Sequence, residues 1–194
     1  FDQLHDVQVK KNQILIMPTW RMYIRNEISA SNRELEAKKF VETDYFRYWD
    51  ALLKDEKLIR YIEENDLKII FYPHREMHRF LQYFHVDHPD ITVASWPEYD
   101  VQELLKESHM LITDYSSIAM DFAYMKKPLV YYQFDYEMFR KGHYAEGYFS
   151  YKKDGFGPIC QNEKQVEEYI EKCVAQNWTM EEEYKKRVEK FFTR

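Results

Sequence analysis

The chain has 194 residues, room for one domain with extensions, and its 45% hydrophobic and 18% aromatic content is ample for a core. A charged content of 32% and a formal net charge of −6 argue for a water-facing surface and against a general nucleic-acid binder, while leaving room for a local basic site. No apolar run approaches the ~20 residues that span a bilayer, no signal peptide is visible, and Cys160 and Cys173 make neither a disulfide framework nor a zinc-site spacing, so both are expected as small buried thiols.

Phe1–Lys11 reads as a polar lead-in. Gln13–Met17 is a continuous apolar run stopped by Pro18, the pattern of a strand buried on both faces. Arg21 follows at its carboxyl end, the edge where open α/β sheets bind ligands, although position alone favours an ordinary surface arginine. Met22–Val41 yields only a capping box, Ser31-x-x-Glu34, that starts a short helix. Thr43 caps a helix reaching Leu53, with Phe46, Trp49, Leu52 and Leu53 on one face; Glu56–Glu64 is a second helix, stopped at Asn65.

Leu67–Tyr72 is the second buried strand, and His74 stands just beyond its terminal Pro73. Glu76–Phe84 predicts a helix with Met77, Phe80, Leu81 and Phe84 inward, leaving His78 and His85 as bystanders. A third strand lies within Asp90–Ser95, and Asp100 caps a helix burying Val101, Leu104 and Leu105. His109–Thr113 is the fourth strand, Ile118–Met125 a nearly all-apolar helix, and Pro128–Gln133 the fifth strand, with Asp135 after it. Phe139–Pro158 reads as a long irregular stretch of the kind that often carries function, with Gly155-Phe156-Gly157-Pro158 forcing a turn. Asn162 caps a helix with the stripe Val166, Tyr169, Ile170, Cys173 and Val174, and Thr179-x-x-Glu182 is a capping box for a last helix. Strands alternating with helices, the strands apolar on both faces, predict an α/β fold: a Rossmann-like doubly wound parallel sheet. No GxGxxG follows the first strand, so the usual dinucleotide site is not expected.

The chemistry gathers in Leu111–Asp121, LITDYSSIAMD. A strand end running through Ser116-Ser117 into a helix offers backbone N–H groups and hydroxyls to an anion, and Asp121 falls about one turn in, within reach of a sugar hydroxyl. The plainer reading is that one serine simply caps the helix, a role compatible with the first. Arg21, His74 and the serine pair all fall at carboxyl ends of strands, and three polar groups on one edge favour a site over a bystander histidine.

Thr113–Asp135, TDYSSIAMDFAYMKKPLVYYQFD, resembles the signature of the CDP-glycerol glycerophosphotransferase family, of the teichoic-acid polymerase and primase type. Pro18-Thr19-Trp20-Arg21, Tyr72-Pro73-His74, Tyr99–Leu105 and Asp154–Pro158 match further motifs of that family in order, with Arg75 standing where the family usually has proline. The resemblance covers almost the whole chain but one half of the family's enzyme. It implies the C-terminal, donor-binding half of a GT-B transferase, residues 1–194 forming a single Rossmann-like unit cut from a larger protein.

The resemblance further implies that Ser116, Ser117, His74 and Arg21 hold donor phosphates and Asp121 the ribose, with no cofactor and no metal. The partners implied are CDP-glycerol or a related CDP-polyol, a lipid-linked polymer acceptor and a facing N-terminal GT-B domain. Glycerol phosphate or ribitol phosphate would pass to a cell-surface polymer such as teichoic acid or capsule, releasing CMP, at the inner face of the cell membrane. The catalytic base is unknown and expected in the facing domain, so the chain alone is expected to bind donor without turnover. A GT-B glycosyltransferase using another nucleotide sugar, and a non-catalytic nucleotide-binding or interaction module, remain as alternatives.

Overall fold

All five residues of strand β1, Gln13–Met17, are buried, as a strand covered on both faces requires. It lies inside a six-stranded sheet with β2 (Lys68–Phe71), β3 (Ile91–Val93), β4 (Met110–Thr113), β5 (Leu129–Tyr132) and β6 (Ile159–Cys160). The order is β3-β2-β1-β4-β5-β6, and every pairing is parallel. The computed structural model describes residues 12–28, 33–142, 147 and 149–193; the Phe1–Lys11 lead-in and Ser31 of the first capping box lie outside them.

Alternation along the strands builds two cores. Ile14, Ile16, Ile69, Phe71, Ile112 and Val130 face one layer, formed by α1 (Met22–Glu27), α2 (Arg33–Val41), α3 (Asp44–Leu53), α4 (Glu56–Glu64), a 3-10 helix (Arg75–Tyr83) and α9 (Glu163–Ala175). Leu15, Met17, Ile70, Leu111, Leu129 and Tyr131 face the other, with α5 (Val101–Glu107), α6 (Ile118–Tyr124) and α10 (Glu182–Phe192). Two short helices, α7 (Tyr136–Gly142) and α8 (Tyr151–Asp154), follow β5. The chain leaves β1 toward β2 and leaves β4 toward β5. Right-handed crossovers in opposite directions put their helices on opposite faces and open a crevice at the carboxyl ends of β1 and β4.

Among the described residues, four α-helices start on a side-chain cap. Thr43, Asp55, Asp100 and Asn162 each accept first-turn backbone N–H bonds. The Thr179 box does not form: α10 starts after Glu181, which makes no side-chain cap bond. Asn177 and Trp178 take left-handed φ of 50° and 59° to end α9, and the Thr179 N–H donates back to the Gln176 carbonyl, so Thr179 belongs to the preceding turn. The stop at α4 comes at Asn65, but Asp66 is the left-handed residue (φ 52°), letting the Leu67 N–H reach the Ile62 carbonyl at 2.9 Å. Arg75–Tyr83 is 3-10 rather than α, and its buried Met77 and Phe80 stand three apart, matching that helix's period. Both cysteines are buried and free. No helix among the described residues is long and apolar enough to cross a membrane.

The stretch read as irregular between Phe139 and Pro158 carries the end of α7 and all of α8. Its Gly155–Pro158 turn needs glycine for close approach, since no glycine has a positive φ. A Cβ on Gly157 would run into the Leu129 carbonyl of β5, and one on Gly155 into the Tyr151 carbonyl. Gly157→Ala is therefore expected to lower the free energy of unfolding by about 2 kcal/mol or more in urea titration, whereas Gly142→Ala, where a Cβ meets nothing within 4 Å, does not destabilise. An unchanged midpoint for Gly157→Ala would mean the turn moves aside freely.

Candidate functional site

At the β1–β4 crevice the chain assembles a buried ionic cluster. Arg21 ends the turn after Pro18 and occupies the N-cap position of α1. Its side chain is fully buried. The guanidinium donates from Nε to Asp135 Oδ2 (2.8 Å), from Nη2 to Asp135 Oδ1 (3.1 Å) and from Nη1 to the Thr19 carbonyl (2.7 Å), and Nη2 lies 2.8 Å from Asp114 Oδ2. Tyr45, Tyr115 and Phe139 surround it with ring centroids 5.3, 5.1 and 5.0 Å from Cζ. Burial alone would lower the guanidinium pKa; the two carboxylates reverse this and raise it, so Arg21 is charged at any working pH.

The same cluster stitches the loops together. Asp114 Oδ1 accepts from the backbone N–H of Thr19 (2.8 Å) and of Tyr115 (2.6 Å). Burial pushes the Asp114 carboxyl above the usual range, opposed by Arg21 and these donors. Tyr115 donates its hydroxyl to Asp135 at 3.0 Å and stacks on Phe139 with centroids 3.7 Å apart. Gln133 Nε2 donates to the Asp114 carbonyl, Thr113 Oγ1 to the Met17 carbonyl, and the His74 N–H to the Pro18 carbonyl. Loops after β1, β2, β4 and β5 are thus fixed relative to one another.

Above this floor lies a depression of about 270 Å³ whose lining includes Tyr115, Ser116, Ser117, Arg140 and Tyr151. Ser116 is half-buried and Ser117 exposed. Ser116 Oγ accepts the Ile118 N–H at 3.3 Å, so this serine does cap, while its own proton stays available to donate. Ser117 makes no side-chain cap bond. The Ala119 and Met120 N–H groups donate to the Ser116 and Ser117 carbonyls, so the short α6 offers fewer backbone donors than the sequence suggested and the hydroxyls carry more of any anion contact.

The other expected site residues are placed apart. Arg21 does not line the depression: its side chain is fully buried, with its guanidinium directed to Asp114, Asp135 and Thr19. His74 is exposed on the same sheet edge, its ring 6.3 Å from that of Trp20, with Nδ1 accepting the Glu76 N–H. Partial desolvation, with some help from His78, lowers its pKa below the ordinary value, against Glu76 and Asp114, which raise it. Asp121 is exposed and lines a second, larger depression of about 760 Å³ with Val101, Leu105 and Tyr124, separate from the one that Ser116, Ser117 and Arg140 line.

Sequence reading missed the parts that Asp114 and Asp135 play in the buried cluster, and did not single out Arg140, which lines the depression. Their shared signal was position: Asp114 directly follows β4, and Asp135 and Arg140 lie beyond β5 on the same sheet edge.

A parallel sheet wound in both directions from β1 and β4 places the chain in the doubly wound class of α/β proteins. The sequence places it more narrowly: residues 2–194 match the model for CDP-Glycerol:Poly(glycerophosphate) glycerophosphotransferase, and the chain belongs to that family. It is 35% identical over 195 residues to the minor teichoic acid biosynthesis protein GgaB of Bacillus subtilis (strain 168), covering 99% of this chain and 21% of that protein. It is also 35% identical over 160 residues to the teichoic acid ribitol-phosphate polymerase TarL of Staphylococcus aureus (strain NCTC 8325 / PS 47), covering 71% of this chain and 23% of that one. The fold superposes on the wall teichoic acid polymerase TagF with a TM-score of 0.67 at 21% identity, over 99% of this chain and 41% of that chain. The chain thus spans a minor part of each relative's length.

Removing the guanidinium leaves two carboxylates buried without their cation. Arg21→Met is expected to cost about 3–5 kcal/mol of stability in urea titration at neutral pH, with part of the loss recovered in acid as the carboxylates are protonated. A variant as stable as the parent would show that the cluster is not a structural strut.

Proposed function

We propose that the chain is the donor-binding part of a glycerophosphotransferase, holding a CDP-activated polyol for transfer of glycerol phosphate or ribitol phosphate to a cell-surface polymer such as teichoic acid. The observation that carries this reading is the Ser116–Ser117 turn at the β1–β4 switch point, in a chain that belongs to the glycerophosphotransferase family. A TagF structure obtained with CDPG supports the choice of donor.

In this reading Ser116 and Ser117 donate hydroxyl hydrogen bonds to the donor phosphates. His74 approaches the pyrophosphate from the β2 side. Asp121 receives the ribose, one helical turn from Ser117, with the donor running along the outside of α6 from one depression to the other. The acceptor hydroxyl of a lipid-linked polymer attacks the polyol-bearing phosphorus, its proton passes to a base on a facing N-terminal domain, and CMP leaves. Such a reaction depends on positioning and on neutralising charge. The full-length protein would work at the inner face of the cell membrane. Binding of UDP-sugars in preference to CDP-glycerol would favour a glycosyltransferase of the same fold instead.

Two outcomes check the reading. Replacing Ser116 and Ser117 together by Ala should weaken CDP-glycerol binding by roughly 1–3 kcal/mol in calorimetry while the unliganded melting temperature changes little; intact affinity with a large stability loss would reduce the pair to helix caps. His74, with its lowered pKa, is neutral at pH 7 in the free protein, and a neighbouring phosphate favours its charged form. Binding should therefore take up a proton, so affinity for CDP-glycerol rises as pH falls from about 7.5 to 5.5, and His74→Gln removes the slope. A flat profile in the parent protein would take His74 out of the phosphate site.

A further inference from the structure

Arg140 is the one charged side chain lining the Ser116–Ser117 depression among the described residues; its neighbours there are serine, tyrosine, phenylalanine, small residues and methionine. It comes from α7, after β5, and reaches the depression with its guanidinium over two rings, 5.2 Å from the Tyr136 centroid and 5.7 Å from that of Tyr151. Tyr151 is itself fixed by donating its hydroxyl to the Tyr115 carbonyl at 3.1 Å. A guanidinium carries its N–H groups as a planar fork whose geometry matches a pair of phosphate oxygens.

Electrostatics gives this cation a task. The floor of the site holds one guanidinium against two carboxylates, so Arg21 has no charge to spare for a ligand and the floor presents net negative charge to an incoming anion. The depression, about 270 Å³, has room for a phosphate or pyrophosphate group.

We infer that Arg140, held by Tyr136 and Tyr151, is the cationic contact for a phosphate or pyrophosphate group seated on Ser116 and Ser117, the part that the family resemblance gave to Arg21. The inference rests on the donor-binding reading for the identity of the ligand, and on the depression's own chemistry for the anion.

The test titrates the full chain with CDP-glycerol, inorganic pyrophosphate and cytidine, following binding by NMR and stability by thermal melting. Arg140→Gln should weaken both phosphate-bearing ligands on the order of tenfold or more, leave cytidine unaffected, and shift the melting midpoint little. Arg140→Lys, which keeps the charge without the fork, should recover part of the loss. Equal weakening of cytidine, or unchanged pyrophosphate affinity in Arg140→Gln, would overturn the assignment, as would a parent chain that binds neither phosphate ligand. Arg140-dependent pyrophosphate binding with CDP-glycerol bound no more tightly than pyrophosphate would keep the anion site and sink the donor reading.

Discussion

The site depends on one buried arginine. Arg21 joins Asp114, after β4, to Asp135, after β5, while itself standing after β1. Burying three charges is costly, and an apolar replacement of equal volume is often as stable, so the cluster is poorly explained as a source of net stability. Geometry explains it better. A bidentate bond to one carboxylate, a contact at 2.8 Å to another and a carbonyl acceptor leave the guanidinium a single position. Three loops that meet only at the open edge of a sheet are thereby held in one arrangement, and the Ser116–Ser117 turn follows directly from the Asp114–Tyr115 segment so fixed.

The fold was legible wherever one local rule sufficed. Runs such as QILIM and LVYY are buried on both faces, so they read as parallel strands without reference to partners. Thr43, Asp100 and Asn162 announced their helices because a cap is a bond within four residues. The same rule failed at Thr179, where the sequence fits a box but the residues before it are spent closing α9 with two left-handed positions. Strand β6 was missed because two residues carry no periodicity. The stretch after Phe139 read as a loop although Phe139 itself is 3% exposed and stacked on Tyr115, a partner 24 positions away whose contact no window of sequence reveals.

The site was half legible, for a related reason. Topology predicts which loops meet at a sheet edge, and it brought Arg21, His74 and the serine pair to one edge as the strand ends required. It does not predict depth. Whether a cation at a strand end faces ligand or interior depends on how many counter-charges arrive from other loops, and Asp114 and Asp135 come from two of them. Resemblance to a family transfers the position of a motif in the same way, and leaves the side chain's task to be read from its surroundings.

This separation of depth gives the crevice its electrical shape. Negative charge lies at the bottom, sealed by the Tyr115 and Phe139 rings. His74 stands toward β2 and Arg140 toward the β5 side, with the serine hydroxyls at the start of α6. On the assignment of Arg140 proposed above, an anion resting on the serines would be repelled from below by the carboxylates and attracted from the rim, which would place it at the mouth rather than in the floor. A phosphate held at the mouth keeps one side toward solvent, the side from which an acceptor hydroxyl would have to approach. A phosphate drawn down to Arg21 would present no open face to attack, and the two carboxylates that claim Arg21 are what prevent it.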